Sequence, residues 1–254
     1  MGANDHEEEI PAALFEFFEA MPRQGPGSPQ ITAALYDRIA PQLPTKPKAA
    51  DMGCGTGAAG LVLLEKGAKV IGVDVHLPFL ESFQATAQEK GLAENLETFA
   101  TGMTETGLPD ASLDLIWSEG AVYIVGFDVA LAEFKRLLKP GGIAVISECT
   151  WLQEAPPKEP TDFWAKNYPE MRTQADNIAA IEAAGWQCLH TETLPAQTWE
   201  ENFYGPMEEL SKTINHATAP DLAAIAEEQT AEAGLFRRYN EFYGYVFYVI
   251  RKVL

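Results

Sequence analysis

Three glycines punctuate the run Asp51-Met52-Gly53-Cys54-Gly55-Thr56-Gly57. A short apolar segment, Lys48–Met52, leads into it, and an apolar stretch over Thr56–Lys66 leads out to Gly67. Glycine accepts positive φ and lets a ligand or a second backbone come close. A strand ending in such a run can turn sharply into a helix whose first N–H groups are free. This unit belongs to α/β sheets, whose ligands sit beyond the carboxyl ends of the strands. The chain downstream keeps the alternation. Lys69–Asp74 (KVIGVD) predicts a buried strand, Leu77–Lys90 a helix closed by Gly91, and Leu96–Ala100 a weak strand. Leu113–Ser118 (LDLIWS) predicts a strong strand, Phe127–Leu138 a helix closed by Pro140-Gly141-Gly142, and Ile143–Ser147 a further strand. Strands alternating with helices of this length indicate βαβ units around a parallel sheet.

The flanks read differently. Leu14, Phe15, Phe17 and Phe18 give a first helix an apolar face, and the prolines and glycines of 22–29 break it. Ser28 before Pro29 predicts a capped second helix, with Ile31, Leu35 and Ile39 at helical spacing. Pro41, Pro44 and Pro47 form a linker. After Thr150 the chain turns irregular and aromatic (Trp151, Phe163, Trp164, Tyr168). Thr173–Ala184 predicts a helix closed by Gly185, Trp186–Leu194 a strand, 197–238 a polar helical region, and Tyr243–Val253 a closing strand. At 254 residues, the chain is long enough for one large domain with its own core.

Composition narrows the partners. The net charge is −19, and the basic residues are scattered, the densest pair being Arg237–Arg238. Nucleic-acid binding runs on clustered Lys and Arg, so no nucleic-acid or anionic-membrane footprint is expected. Cys54, Cys149 and Cys188 lie far apart without CxxC spacing, which predicts reduced thiols in a cytoplasmic protein. The acidic stretch His6-Glu7-Glu8-Glu9 is unlike a signal peptide, and the apolar run Tyr245–Ile250 is too short to span a membrane. The histidines are isolated, so no metal site is expected.

Three ligand classes use a glycine loop at this place. A P-loop requires Lys after the last glycine; Gly55 and Gly60 have the spacing, but Leu61 follows. A dinucleotide fingerprint fits formally through Gly53, Gly55 and Ala58, with Asp74 about 20 residues on. S-adenosylmethionine (SAM) is the third. Asp51 discriminates between them, because a carboxylate repels a pyrophosphate and attracts the ammonium of a methionine moiety.

The run DMGCGTG resembles the first motif of class I SAM-dependent methyltransferases. KVIGVD resembles their second strand, LDLIWSEGAVY (113–123) their fourth-strand motif, and LLKPGG (137–142) the turn into their fifth strand. The SEGA segment (118–121) and the closing stretch 239–248 are similar to those of bacterial small-molecule methyltransferases. The resemblance covers about residues 45–150 closely. It implies a Rossmann-like α/β three-layer sandwich, with a mostly parallel seven-stranded sheet and one antiparallel strand. The implied organisation is a single domain: an N-terminal helical cap (1–45), a SAM-binding core (46–195), a helical insertion (196–240) and the last strand (241–254).

By that resemblance SAM is the cofactor and S-adenosylhomocysteine (SAH) the product. Asp51 lies near the ammonium, with Gly53, Cys54, Gly55 and Gly57 against the amino-acid end. Asp74 accepts hydrogen bonds from the ribose, the alternative being an N-cap for the following helix, and Val75 and Ser118 complete the pocket. His76 either flanks the adenosine or faces solvent. The acidic residue that many relatives place at the adenine is missing, and Met103 and Thr104 are the candidates for that contact. On the acceptor side the candidates are Glu119, as base or as clamp for a cationic acceptor, and Tyr123. Trp151, Phe163, Trp164, Tyr168, Trp199, Phe203 and Tyr204 either line an acceptor pocket or pack a helical lid.

There is no Asn/Asp-Pro-Pro-Tyr motif after the fourth strand, and no cysteine is placed as a pyrimidine nucleophile. The expectation is therefore methyl transfer to a small-molecule acceptor by a monomer or homodimer. Two alternatives stay open. One is an NAD(P)-linked oxidoreductase, which lacks a Tyr-x-x-x-Lys pair here. The other is a non-catalytic SAM-binding or interaction module, since fold does not fix chemistry.

Overall fold

Ser28 stops the chain wandering after the Pro22–Pro29 break. Its Oγ accepts the N–H of Ile31 at 3.1 Å, and Pro29 occupies the first turn of α2 (Pro29–Ile39), where its missing N–H costs nothing. The preceding helix α1 (Ala12–Glu19) buries Phe17. The computed structural model describes residues 11–253; the acidic stretch His6–Glu9 lies outside them.

The core follows in βα order: β1 (Lys48–Met52), α3 (Ala58–Glu65), β2 (Lys69–Asp74), α4 (Leu77–Glu89), β3 (Leu96–Ala100), β4 (Leu113–Glu119), α5 (Phe127–Leu137) and β5 (Leu138–Trp151). Next come α6 (Lys158–Asn167), β6 (Arg172–Thr173), α7 (Gln174–Ala183) and β7 (Trp186–Thr193). The helical insertion holds α8 (Ala196–Trp199), a π-turn over Glu200–Tyr204, α9 (Gly205–Ser211) and α10 (Pro220–Tyr239), and β8 (Tyr243–Lys252) ends the fold. The strands run in the order β3-β2-β1-β4-β5-β8-β7, with β6 paired to the end of β5. β8 is antiparallel to both neighbours. The seven-stranded, mostly parallel sheet with one antiparallel strand is thus present, with two-residue β6 as an addition.

Side chains alternate across the sheet. Leu115 and Trp117 face the layer built from Phe17, Leu35, Leu63, Phe83 and Phe236. Ile116, Ala144 and Ile146 face the layer with Leu131 of α5 and Ile181 of α7. Both faces are covered, which is why LDLIWS reads as a nearly continuous apolar run.

Two expectations change. β5 spans 14 residues rather than 143–147, because Ile143–Trp151 pairs with Tyr243–Arg251 of β8. Long-range pairing, not local propensity, extends it through Glu148 and past Thr150. The insertion is polar only outside: Trp199, Phe203, Tyr204 and Met207 are buried. Phe203 stacks on Phe18 of α1 with ring centroids 6.3 Å apart. The insertion and the N-terminal helices therefore share one layer above the strand ends.

Candidate active site

The sheet order reverses between β1 and β4, the switch point at which α/β sheets leave a crevice. A cavity of about 490 Å³ lies there, within the size range of small-molecule sites. Its floor is the glycine loop and the ends of β2 and β4; its roof is α1 and the segment that follows it.

Each glycine has its own task. Gly53 has φ +69°, and a Cβ there would stand 2.3 Å from Cβ of Ala121. Gly55 has φ +52°, and its N–H donates to Oδ2 of Asp74 at 2.8 Å. Gly57 departs from the expectation: a Cβ there would meet Cδ2 of Phe83 at 2.1 Å, so it brings loop and helix α4 together and does not line the cavity.

Of the residues singled out in the sequence, Asp51, Gly53, Cys54, Gly55, Asp74, Val75, Met103, Glu119 and Tyr123 line the cavity. Thr104 and Ser118 do not. Thr104 is exposed, while Ser118 is buried and donates to the Met52 carbonyl at 2.8 Å. Ser118 therefore ties β4 to β1 beneath the loop.

Asp51 is buried, and its Oδ2 accepts the N–H of Gly60 at 2.8 Å. Burial, and then the nearby charge of Glu119, push its carboxyl up to about 8. Asp74 uses one lone pair on each oxygen, Oδ2 for Gly55 and Oδ1 for the N–H of His76 at 2.9 Å. Each oxygen keeps acceptor capacity for a ligand. Its contact stops at His76, the residue before α4, so it does not cap that helix through an N–H of the first turn. His76 does not line the cavity and is half-buried. Its ring stacks on Phe15 at 4.2 Å, and its Nε2 lies 2.6 Å from Oε1 of Glu19, fastening α1 to the end of β2.

Glu119 is already engaged. Its carboxylate is paired with the Arg23 guanidinium. It also accepts from Oγ1 of Thr32 at 2.7 Å and from Nε1 of Trp117 at 2.8 Å. Both Arg23 and Glu119 are largely buried. Breaking such a pair by removing one partner costs about 3–5 kcal/mol. Glu119 thus binds the N-terminal cap to the sheet end.

Sequence reading missed the cap's own contribution. Gln24 Oε1 accepts from the Thr56 N–H at 3.1 Å and from its Oγ1 at 2.9 Å, placing a side chain directly over the glycine loop. Arg23, Gln24, Leu14, Phe15 and Phe18 line the cavity, although nothing local in the Pro/Gly-rich break announces it. Phe79 was also missed; it follows Leu77–Pro78 at the start of α4 and lines the cavity. The aromatic candidates of 151–168 and 199–204 do not line it. Trp164 and Trp151 pack edge-on to Tyr243 at 5.3 and 6.1 Å, and Trp199 stacks on Phe236 at 4.4 Å.

No group of three or more His, Cys, Asp or Glu suited to a metal occurs among the described residues. Cys54, Cys149 and Cys188 are free thiols. Among the described residues no helix is long and apolar enough to cross a membrane.

Such a glycine loop at the switch point, with an acid ahead of it and another ending β2, defines a class I SAM-dependent methyltransferase fold. Residues 50–146 match the family model described as a methyltransferase domain. It is 29% identical over 167 residues to a sterol 24-C-methyltransferase (ERG6B) of Gibberella zeae, an alignment spanning 59% of this chain and 42% of the relative. The chain spans about half or less of the length of the curated relatives it matches. A SAM-dependent methyltransferase from Geobacter sulfurreducens, solved with SAH, superposes with a TM-score of 0.76 at 20% identity, covering 95% of this chain and 98% of that one. The [4+2]-cyclase SpnF superposes with a TM-score of 0.73 at 23% identity, covering 92% and 86%.

Proposed function

We propose that this protein transfers a methyl group from SAM to a small-molecule acceptor. The observation that carries the reading is the pair of carboxyls on one cavity wall, Asp51 buried at the loop and Asp74 at the end of β2. Among the described residues lining the cavity, Arg23 is the one cation, and it is committed to Glu119. The uncompensated acid at Asp51 suits an ammonium and opposes a pyrophosphate, which counts against the nicotinamide alternative.

The residues present fit the cofactor. Asp51 would face its ammonium, the free lone pairs of Asp74 its ribose hydroxyls, and Val75, Phe79 and Met103 the adenine. Bound SAM supplies an electrophilic methyl group on a sulfonium, so the chain's task is alignment and exclusion of water, which can supply roughly 7–11 kcal/mol. Gln24 and the aromatic face of α1 close the cavity from above. Glu119 holds that cap through Arg23 and Thr32, and so acts as a positioning residue rather than a base. Tyr123, with its ring exposed toward the cavity, faces the acceptor. A cytoplasmic location accords with three unpaired thiols. A monomer or homodimer without nucleic-acid partners accords with the dispersed basic residues.

A second reading is SAM binding without methyl transfer, favoured by the likeness to a cyclase of the same fold. Calorimetric titration with SAH and with NADH tests the first step. Micromolar binding of SAH and none of NADH is expected; the reverse overturns the proposal. Incubation with methyl-labelled SAM and pools of amines, phenols and carboxylates tests the second, and label left entirely on SAM in every pool favours the non-transferring reading.

A further inference from the structure

Gly120 and Gly126 bracket a short turn that shapes one end of the cavity. Gly120 has φ +63° and Gly126 φ +90°, and the Gly120 N–H donates to Oγ of Ser147 in β5 at 2.8 Å. Between them Val122–Ile124 forms a 3₁₀ turn. The N–H groups of Ile124 and Val125 close it on the carbonyls of Ala121 and Val122 at 3.1 and 3.2 Å. Val122 is fully buried and anchors the turn. Its neighbours are left in the open, Tyr123 47% exposed and Ile124 60%. Both line the cavity, as does Val125. Among the described residues six large apolar side chains are exposed, and three of them, Tyr123, Ile124 and Val75, line this cavity. Exposed apolar side chains scattered singly need no explanation, whereas a cluster in a concave site marks an apolar ligand.

The polar side chains of the cavity are already used. Glu119 accepts from Arg23, Thr32 and Trp117, and Arg23 also donates from Nε to the Gly25 carbonyl at 2.8 Å. Gln24 is held at both ends. Its Nε2 donates to the carbonyls of Phe18 and Met21 at 3.2 and 3.3 Å, while its Oε1 accepts from Thr56. Thr101 Oγ1 donates to the Glu105 carbonyl at 3.1 Å. When SAM is bound as proposed, Asp51 and Asp74 serve its ammonium and ribose. Tyr123 adds a ring and a neutral hydroxyl, not a charge. The roof brings more hydrocarbon in Leu14, Phe18 and Pro26, and Phe18 is braced by the Phe203 ring stacked 6.3 Å away.

We propose that the acceptor is an uncharged molecule with an extended apolar body, seated against Tyr123, Ile124 and Val125 beneath Leu14, Phe18 and Pro26. This rests on the methyltransferase reading and names the acceptor class for it. The apolar side chains belong to the cavity wall itself, so what covers them is the molecule that enters the cavity beside the cofactor. Covering them removes hydrocarbon from water on both partners, and the gain grows with each methylene buried. A charged acceptor would surrender its hydration where Glu119 and Arg23 have already neutralised each other, leaving no countercharge to replace it. A single open tyrosine face attracts a cation too weakly to offset that loss.

The test titrates the full chain, saturated with SAH, with butan-1-ol, hexan-1-ol and octan-1-ol by calorimetry, in salt of about 0.15 M to screen the net charge. Affinity should rise about two- to fourfold per methylene. Hexan-1-ol should bind at least about tenfold tighter than hexylammonium or hexanoate. Ile124→Ser, a change at an exposed position, should lower octan-1-ol affinity severalfold, and Val129→Ser, equally exposed but outside the cavity, should not. An affinity flat with chain length, hexylammonium binding as tightly as hexan-1-ol, or an octan-1-ol affinity untouched by Ile124→Ser overturns the proposal. So does a dimer in sedimentation that Ile124→Ser dissociates, since a second copy would then cover the wall. Failure of SAH itself to bind overturns the methyltransferase reading and the proposal with it, whereas SAH binding beside a flat alcohol series overturns the acceptor class alone.

Discussion

Replacing Asp51 by Asn should make the ligand-free protein more stable, and increasingly so as pH rises. Asparagine keeps an oxygen for the Gly60 N–H, which Asp51 now satisfies at 2.8 Å, and loses only the ionisable group. In the folded chain burial, and then Glu119, push the Asp51 carboxyl up to about 8, against 3.8 ordinarily. Between those values the folded protein keeps a proton that the unfolded chain has released. A raised folded value gives stability that is complete at low pH and is lost as pH climbs toward about 8. The ceiling is about 1.4 kcal/mol per pH unit, or about 3 kcal/mol from roughly pH 5 to pH 7.5. Glu148, also pushed up to about 8, has the same sign, and the high negative charge acts alongside it. Both are shared by the variant and cancel in the difference. Urea unfolding of wild type and D51N at several pH values measures that difference directly. A relative gain for D51N of about 1–3 kcal/mol across the window is expected. Parallel pH profiles, agreeing within about 0.5 kcal/mol, would refute the claim that Asp51 is buried without adequate compensation. Saturating SAH should flatten the wild-type slope, because an ammonium beside Asp51 favours its ionised form.

Other consequences are more local. Asp74→Ala removes a charged acceptor worth about 1.5–3 kcal/mol, so SAH binding should weaken about ten- to hundredfold by calorimetry; an unchanged Kd in a folded variant would remove Asp74 from the site. Gly53→Ala forces a Cβ to 2.3 Å from Ala121 at φ +69°, and should abolish measurable SAH binding or lower Tm; normal binding and Tm would show that the loop is not tightly placed. Glu119→Ala strands Arg23 and should cost about 3–5 kcal/mol in urea unfolding. The double variant with Arg23→Met should recover part of that loss, and strict additivity of the two changes would argue against the latch.

The buried charges show where sequence reading stops. KVIGVD and LETFA form strands with the bounds their patterns predict, because each is a short run whose apolar spacing matches one sheet position. Ser28 and Thr173 cap α2 and α7 by accepting backbone N–H groups at 3.1 Å, a local chemistry that two or three neighbouring residues specify. β5 has no such autonomy. Its second half is a strand only because β8, about 100 residues later, lies alongside. Glu148 inside that apolar stretch was the available sign of something unusual, and Glu119 beside Gly120 was another. Neither sequence context names its partners.

What the amino-acid order determined alone was therefore the βα alternation, the glycine turn after β1 and the acids at 51 and 74, since these depend on backbone preferences and spacing over a few residues. What tertiary structure decided was how those groups are used. It brought Arg23 and Thr32 to Glu119, set Gln24 over the glycine loop, turned Gly57 toward Phe83, and buried Glu148 where β5 pairs with Val246 of β8. Such contacts arise when separate elements pack across one core, and burial and charge pairing depend on that packing, not on neighbours along the chain.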